Sequence, residues 1–165
     1  MSRTKAREIA LHLIFEMGFQ QFEDENLDDR LDESIMASIS GDIALYAGKL
    51  SEQQTRYIRS VVKGVAGHLD ELDRTIETYA KGWKLSRLSR MTTAVLRLAI
   101  YEMRHVDDVP VSVAINEAVS LAKVYDTDEA ASFINGVLGA VARAEFPKAA
   151  PHAKKDEPKA EEGNA

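Results

Sequence analysis

The sequence predicts an all-α protein, on three observations. Apolar residues recur at spacings of three and four over most of its length, cap-forming residues stand where those runs begin, and no segment alternates apolar and polar residues for long enough to make a strand. Ser2 or Thr4 caps a first helix running to about Phe22, with Ala6, Ala10, Leu13, Ile14 and Met17 on its inward stripe. An acidic segment follows, and Leu27, Leu31, Ile35, Met36 and Ile39 then predict a second helix that ends at Ser40 and Gly41. Ser51 and Gln54 are spaced as a capping box, opening a helix through Tyr57, Ile58, Val61, Val62 and Val65 that Gly64 and Gly67 weaken. Asp70, Leu72, Ile76 and Tyr79 resume the period, so residues 69–81 form a fourth helix or continue the third beyond a kink; Gly82 and Trp83 close that unit.

Ser86 or Ser89 caps the next helix, in which Leu88, Met91, Ala94, Val95, Leu98, Ala99, Ile100 and Met103 are apolar nearly all round, as expected of a central element. Pro110 suits a first helical position, and Asp107 and Asp108 precede it at the end that favours negative charge. Val111, Ala114, Ile115, Ala118, Val119, Ala122 and Tyr125 make that helix's core stripe, with Ser112, Asn116, Ser120 and Lys123 opposite. Thr127 or Asp128 caps a last helix whose stripe is Ala130, Ile134, Val137, Leu138 and Val141. The expected architecture is six or seven helices in two small packed bundles joined through the Trp83 region. Residues 1–146 form the folded domain, and residues 147–165 are a disordered tail in which four lysines balance four acids without a large apolar residue.

The chain of 165 residues is 45% apolar and 29% charged, without cysteine, so disulfides, thiolate catalysis and cysteine metal sites are excluded. No apolar run approaches the roughly 20 residues that span a bilayer, and the start carries no secretory pattern, which predicts a cytoplasmic protein. The net charge of -6 argues against a nucleic-acid partner until its distribution is considered. Seven acids between Glu23 and Glu33 against Arg30 account for all of it, and Arg3, Lys5 and Arg7 then form a positive cluster at one extremity.

Arg3 and Arg7 lie four apart on one helical face, with Leu11 and Phe15 continuing the line. Cations at a helix N-terminus oppose its dipole, and a bound phosphate would reverse that penalty; the plain alternative is a solvated, frayed end. Phe133 lies off the core stripe of its helix, in a sector shared with Glu129, Gly136 and Ala140 that leaves room for a flat partner such as an unstacked base. The alternative there is a phenylalanine at the core edge. Asn116, Glu117, Asn135, Arg97 and Glu102 read as structural hydrogen-bond partners. No histidine spacing suits a metal, and there is no phosphate loop or nucleophile elbow, so neither catalysis nor a cofactor has support.

Four stretches together resemble the NusB family of bacterial transcription antitermination factors: RTKARE at 3–8, VLRLAIYEM at 95–103, DVPVSVAINEAVSLAK at 108–123 and FINGVL at 133–138. The resemblance implies a non-enzymatic, boxA-type single-stranded RNA-binding protein with RNA-contacting residues at Arg3, Lys5, Arg7, Phe15, Glu129 and Phe133. It further implies a heterodimer with the ribosomal protein NusE, docked by analogy on the 89–103 helix, entry into an RNA polymerase antitermination complex, and in some members a homodimer. Thr4 and Ser132 stand where family members often have a basic residue, which leaves a protein-interaction adaptor without RNA binding as another class. A fused RNA methyltransferase is the third class, for which the chain offers no glycine-rich cofactor fold.

Overall fold

The computed structural model describes residues 3–18, 29–30, 32–33 and 50–148. These residues are helical without a strand: α1 (Arg3–Met17), α2 (Glu52–Gly67), α3 (Leu69–Tyr79), a 3₁₀ turn (Leu85–Arg87), α4 (Arg90–His105), α5 (Val111–Tyr125) and α6 (Asp128–Glu145). The all-α expectation holds. The helix expected after Leu27 lies outside the described residues except for Asp29, Arg30, Asp32 and Glu33, which are helical and exposed. Of the expected tail only Pro147 and Lys148 are described. Among the described residues, no helix is long and apolar enough to cross a membrane.

Two compact units divide at Leu69 and Asp70, not at Trp83. The division falls at the helix break that the glycines announced. His68 ends α2, its ring Nδ1–H donating to the Gly64 carbonyl at 2.7 Å, and α3 begins at the next residue.

In the first unit α1 packs on α2. The capping box forms as expected, the Gln54 N–H donating to Ser51 Oγ (3.1 Å) and the Ser51 N–H to Gln54 Oε1 (2.8 Å). Tyr57, Ile58, Val61, Val62 and Val65 are buried against Ala6, Ile9, Ala10, Leu11, Leu13 and Ile14. The buried surface of α1 is thus wider than the single stripe expected, and the helix ends at Met17, short of Phe22.

The second unit is built around α4, on which α5 and α6 pack while packing on each other. Ser89, and not Ser86, caps α4 by accepting from the Thr92 N–H (3.0 Å), and α4 is buried nearly all round, as its sequence requires. Leu72 and Ile76 of α3 are buried, and side-chain bonds fasten α3 to α4. The Arg97 guanidinium donates to both Asp73 oxygens (2.8 and 2.9 Å), and Arg104 donates to Thr75 Oγ1 (2.8 Å) and Glu71 (3.3 Å). Arg104 also forks onto Glu145 at the end of α6 (2.9 and 2.7 Å), a bond that raises its already high pKa further.

Pro110 is the N-cap of α5, one position earlier than expected, and its carbonyl accepts from both Val113 and Ala114. Leu121 is buried, whereas Ile115 and Val119 are half-buried, so the core stripe of α5 is rotated from the one expected. Thr127 caps α6 through the Ala130 N–H (2.9 Å), and Ala131 takes the buried position expected of Ala130.

Candidate nucleic-acid interface

The first candidate surface belongs to the first unit. α1 starts at Arg3 and carries cations and no acid in its first turn, a placement that the helix dipole does not favour. Arg3 and Arg7, one turn apart, converge on one aromatic ring of α2. The Arg3 guanidinium carbon is 4.4 Å from the Tyr57 ring centroid and that of Arg7 5.8 Å. Their exposure separates them. Arg3 and Lys5 are half-exposed, whereas Arg7 is 3% exposed and belongs to the packed interface of α1 and α2. The expected tip of three cations is therefore two accessible cations above a buried one. Periodicity alone could not show this, because the partner that covers Arg7 lies on another helix.

Phe15 is half-buried in the last turn of α1, about 18 Å along the helix axis from Arg3 at 1.5 Å per residue, so the two are not neighbours. His12, between them, has its pKa lowered by burial, with Glu8 opposing the shift.

The second candidate surface belongs to the second unit. Thr127 fixes the start of α6, which sets Glu129 and Phe133 one turn apart, Glu129 exposed and Phe133 half-buried. Phe133 does not close onto the core. Its ring meets Trp83 edge to face, with centroids 5.9 Å apart and an interplanar angle of 66°. Trp83 itself is 51% exposed, so the pair presents indole surface to solvent. Gly136 in the same sector is exposed, and a Cβ there would meet no atom within 4 Å, which agrees with the open space inferred beside Phe133. In the sequence Trp83 marks the end of a helical unit and the joint between bundles, not a surface. Its signal was its place as the only tryptophan, within a stretch rich in cations. Asn116 and Asn135, read as structural hydrogen-bond partners, are exposed; Arg97 fulfils that role through Asp73.

Among the described residues no group of three His, Cys, Asp or Glu side chains could hold a metal ion. What the two surfaces offer is cationic and aromatic contact.

Comparison with known proteins places the chain in a family. The profile of the NusB family matches residues 4–143. The chain is 45% identical over 157 residues to the transcription antitermination protein NusB of Acetivibrio thermocellus, covering 95% of this chain and 99% of that one. To the protein of the same name from Symbiobacterium thermophilum it is 39% identical, covering 87% and 90%. Its fold matches T. maritima NusB with a TM-score of 0.72 at 28% identity, over 92% of this chain and 98% of the other. It also matches a chain in the crystal structure of the antitermination factors NusB and NusE in complex with dsRNA, with a TM-score of 0.70 at 22% identity over 86% and 96%. With the profile running from the cationic start of α1 to the end of α6, and near-complete coverage of relatives at this identity, the chain belongs to the NusB family of transcription antitermination proteins.

Proposed function

We propose that the chain is a transcription antitermination factor that binds boxA-type single-stranded RNA together with the ribosomal protein NusE and joins RNA polymerase. The observation that carries this reading is family membership over residues 4–143, supported by the likeness in fold to a chain of the NusB and NusE complex with dsRNA. The residues that serve it are Arg3 and Lys5 on the first unit and Glu129 and Phe133 on the second, with Arg7 holding Arg3's aromatic support in place and Phe15 contributing from the far end of α1.

The chemistry is binding without turnover. Guanidinium and ammonium groups neutralise phosphates, the N-terminal N–H groups of α1 add donors, and aromatic surface takes unstacked bases. The RNA-binding domain is residues 1–146, no cofactor is required, and the protein works in the cytoplasm.

Filter-binding titration of boxA-type RNA with the chain alone and with NusE tests the reading. Salt-sensitive binding that tightens when NusE is added is the expected result. Undetectable or salt-independent binding, with NusE still captured, would leave only the protein-interaction adaptor, to which the uncharged Thr4 and Ser132 would then be relevant.

A further inference from the structure

The stretch from Lys81 to Arg90, KGWKLSRLSR, carries Lys81, Lys84, Arg87 and Arg90 and not one acid, and all four cations are exposed. Among the described residues no carboxylate is salt-bridged to Lys81, Lys84 or Arg87. This is unlike Arg97 and Arg104 of the same unit, whose guanidinium groups are taken up by Asp73, Glu71 and Glu145.

The segment is also held in shape. Gly82 turns the chain at φ +82°, a conformation that other residues avoid, and Trp83 follows it outward. The Leu85 N–H donates to Glu77 Oε2 (3.3 Å), the nearby acid being thereby engaged with the backbone. Arg87 and Leu88 N–H groups close the 3₁₀ turn on Lys84 and Leu85 carbonyls (2.8 and 3.1 Å), and the Ser89 cap ends the segment. With three residues per turn, Lys84 and Arg87 fall on the same side. The indole of Trp83 meets the Phe133 ring edge to face, a contact that braces it and lowers the entropy cost of binding.

We infer that residues 81–90 are a nucleic-acid contact of their own: Trp83 stacks on an unpaired base of the bound RNA, while Lys81, Lys84 and Arg87 hold the phosphates that flank it. Cations interleaved with an exposed, braced aromatic ring are the chemistry that single-stranded nucleic acid requires. The inference rests on the RNA-binding reading above and extends it to residues that reading does not use.

The only tryptophan makes the test direct. The full chain is titrated with a fluorophore-labelled boxA-type oligonucleotide, RNA anisotropy and tryptophan emission being recorded in the same cuvette. The expected result is emission quenching with the same midpoint as the anisotropy change. Trp83→Ala is expected to weaken binding roughly five- to a hundredfold, Trp83→Phe to restore part of it, and Lys84→Gln with Arg87→Gln to lower the logarithmic salt slope by about 1.4, all with unchanged circular dichroism. RNA binding with unchanged emission and wild-type affinity in all three variants overturns the inference and leaves the RNA reading standing. Loss of NusE capture by Trp83→Ala, with affinity for RNA alone intact, makes the segment a protein-docking surface and likewise overturns it. No anisotropy change in the wild-type chain removes both.

Discussion

Two sets of basic side chains in the second unit are treated in opposite ways. Arg97 and Arg104 project from α4 into carboxylates on α3 and α6, whereas Lys81, Lys84 and Arg87 stand on a rigid turn without such partners among the described residues. The first set holds helices together, and the second leaves its charge available to an anion. The same division appears within α1, where Arg7 is sealed beneath Tyr57 and Arg3, one turn earlier, remains accessible on the same ring. A cation's place in the fold, more than its place in the sequence, decides which task it serves.

The strongest challenge to that division is Arg104→Ala. It strands Glu145 and Glu71 and removes a donor to Thr75, and is expected to cost about 3 kcal/mol in urea unfolding while leaving RNA affinity within about twofold. A stability loss below roughly 0.5 kcal/mol would mean that the fork onto Glu145 is incidental. Arg7→Ala comes next, at about 2 kcal/mol, because a buried stem and a ring contact are lost together. Unchanged thermal stability with weakened RNA binding would move Arg7 from the structural set into the binding set.

Gly82→Ala is expected to cost about 1 kcal/mol, from the left-handed backbone alone, since a Cβ there meets nothing within 4 Å. An unchanged urea midpoint would show that the turn relaxes. Arg3→Gln combined with Lys5→Gln should scarcely alter stability and should weaken RNA binding; a fall of several degrees in melting temperature would assign them to the fold.

The smallest effect concerns His12, a base that the fold prefers neutral. Its folded pKa lies below the ordinary 6.5, so the unfolded chain binds the proton more readily. The contribution is complete above pH 6.5 and is lost as pH falls through the folded value. Melting temperatures at about pH 7.5 and about pH 5.5 should therefore converge in His12→Gln relative to the wild type, and an identical pH response in both would remove His12 from the account.

What was legible in the sequence was local chemistry. The Ser51–Gln54 box, the Thr127 cap and the all-round apolar α4 are set by neighbours within a few residues, and each stands where the pattern placed it. What escaped was chemistry between distant segments. Nothing near Arg7 announces Tyr57, nothing near Arg104 announces Glu145, and the rotated stripe of α5 follows from packing against α4 and α6 together. Periodicity sets Phe133 off the core stripe, where it is half-buried, but its companion ring at Trp83 belongs to a turn that periodicity cannot orient.

The central claim, that solvent-accessible cations of this NusB-family chain neutralise RNA phosphates while Arg104, taken up by carboxylates, does not, is tested most directly by the salt dependence of boxA-type RNA binding in the presence of NusE. The logarithm of the affinity should fall linearly with the logarithm of salt concentration, and the slope should become shallower by about 0.7 for Arg3→Gln and for Lys84→Gln but stay unchanged for folded Arg104→Gln. A slope near zero in the wild type, or the same slope in all four proteins, would contradict it.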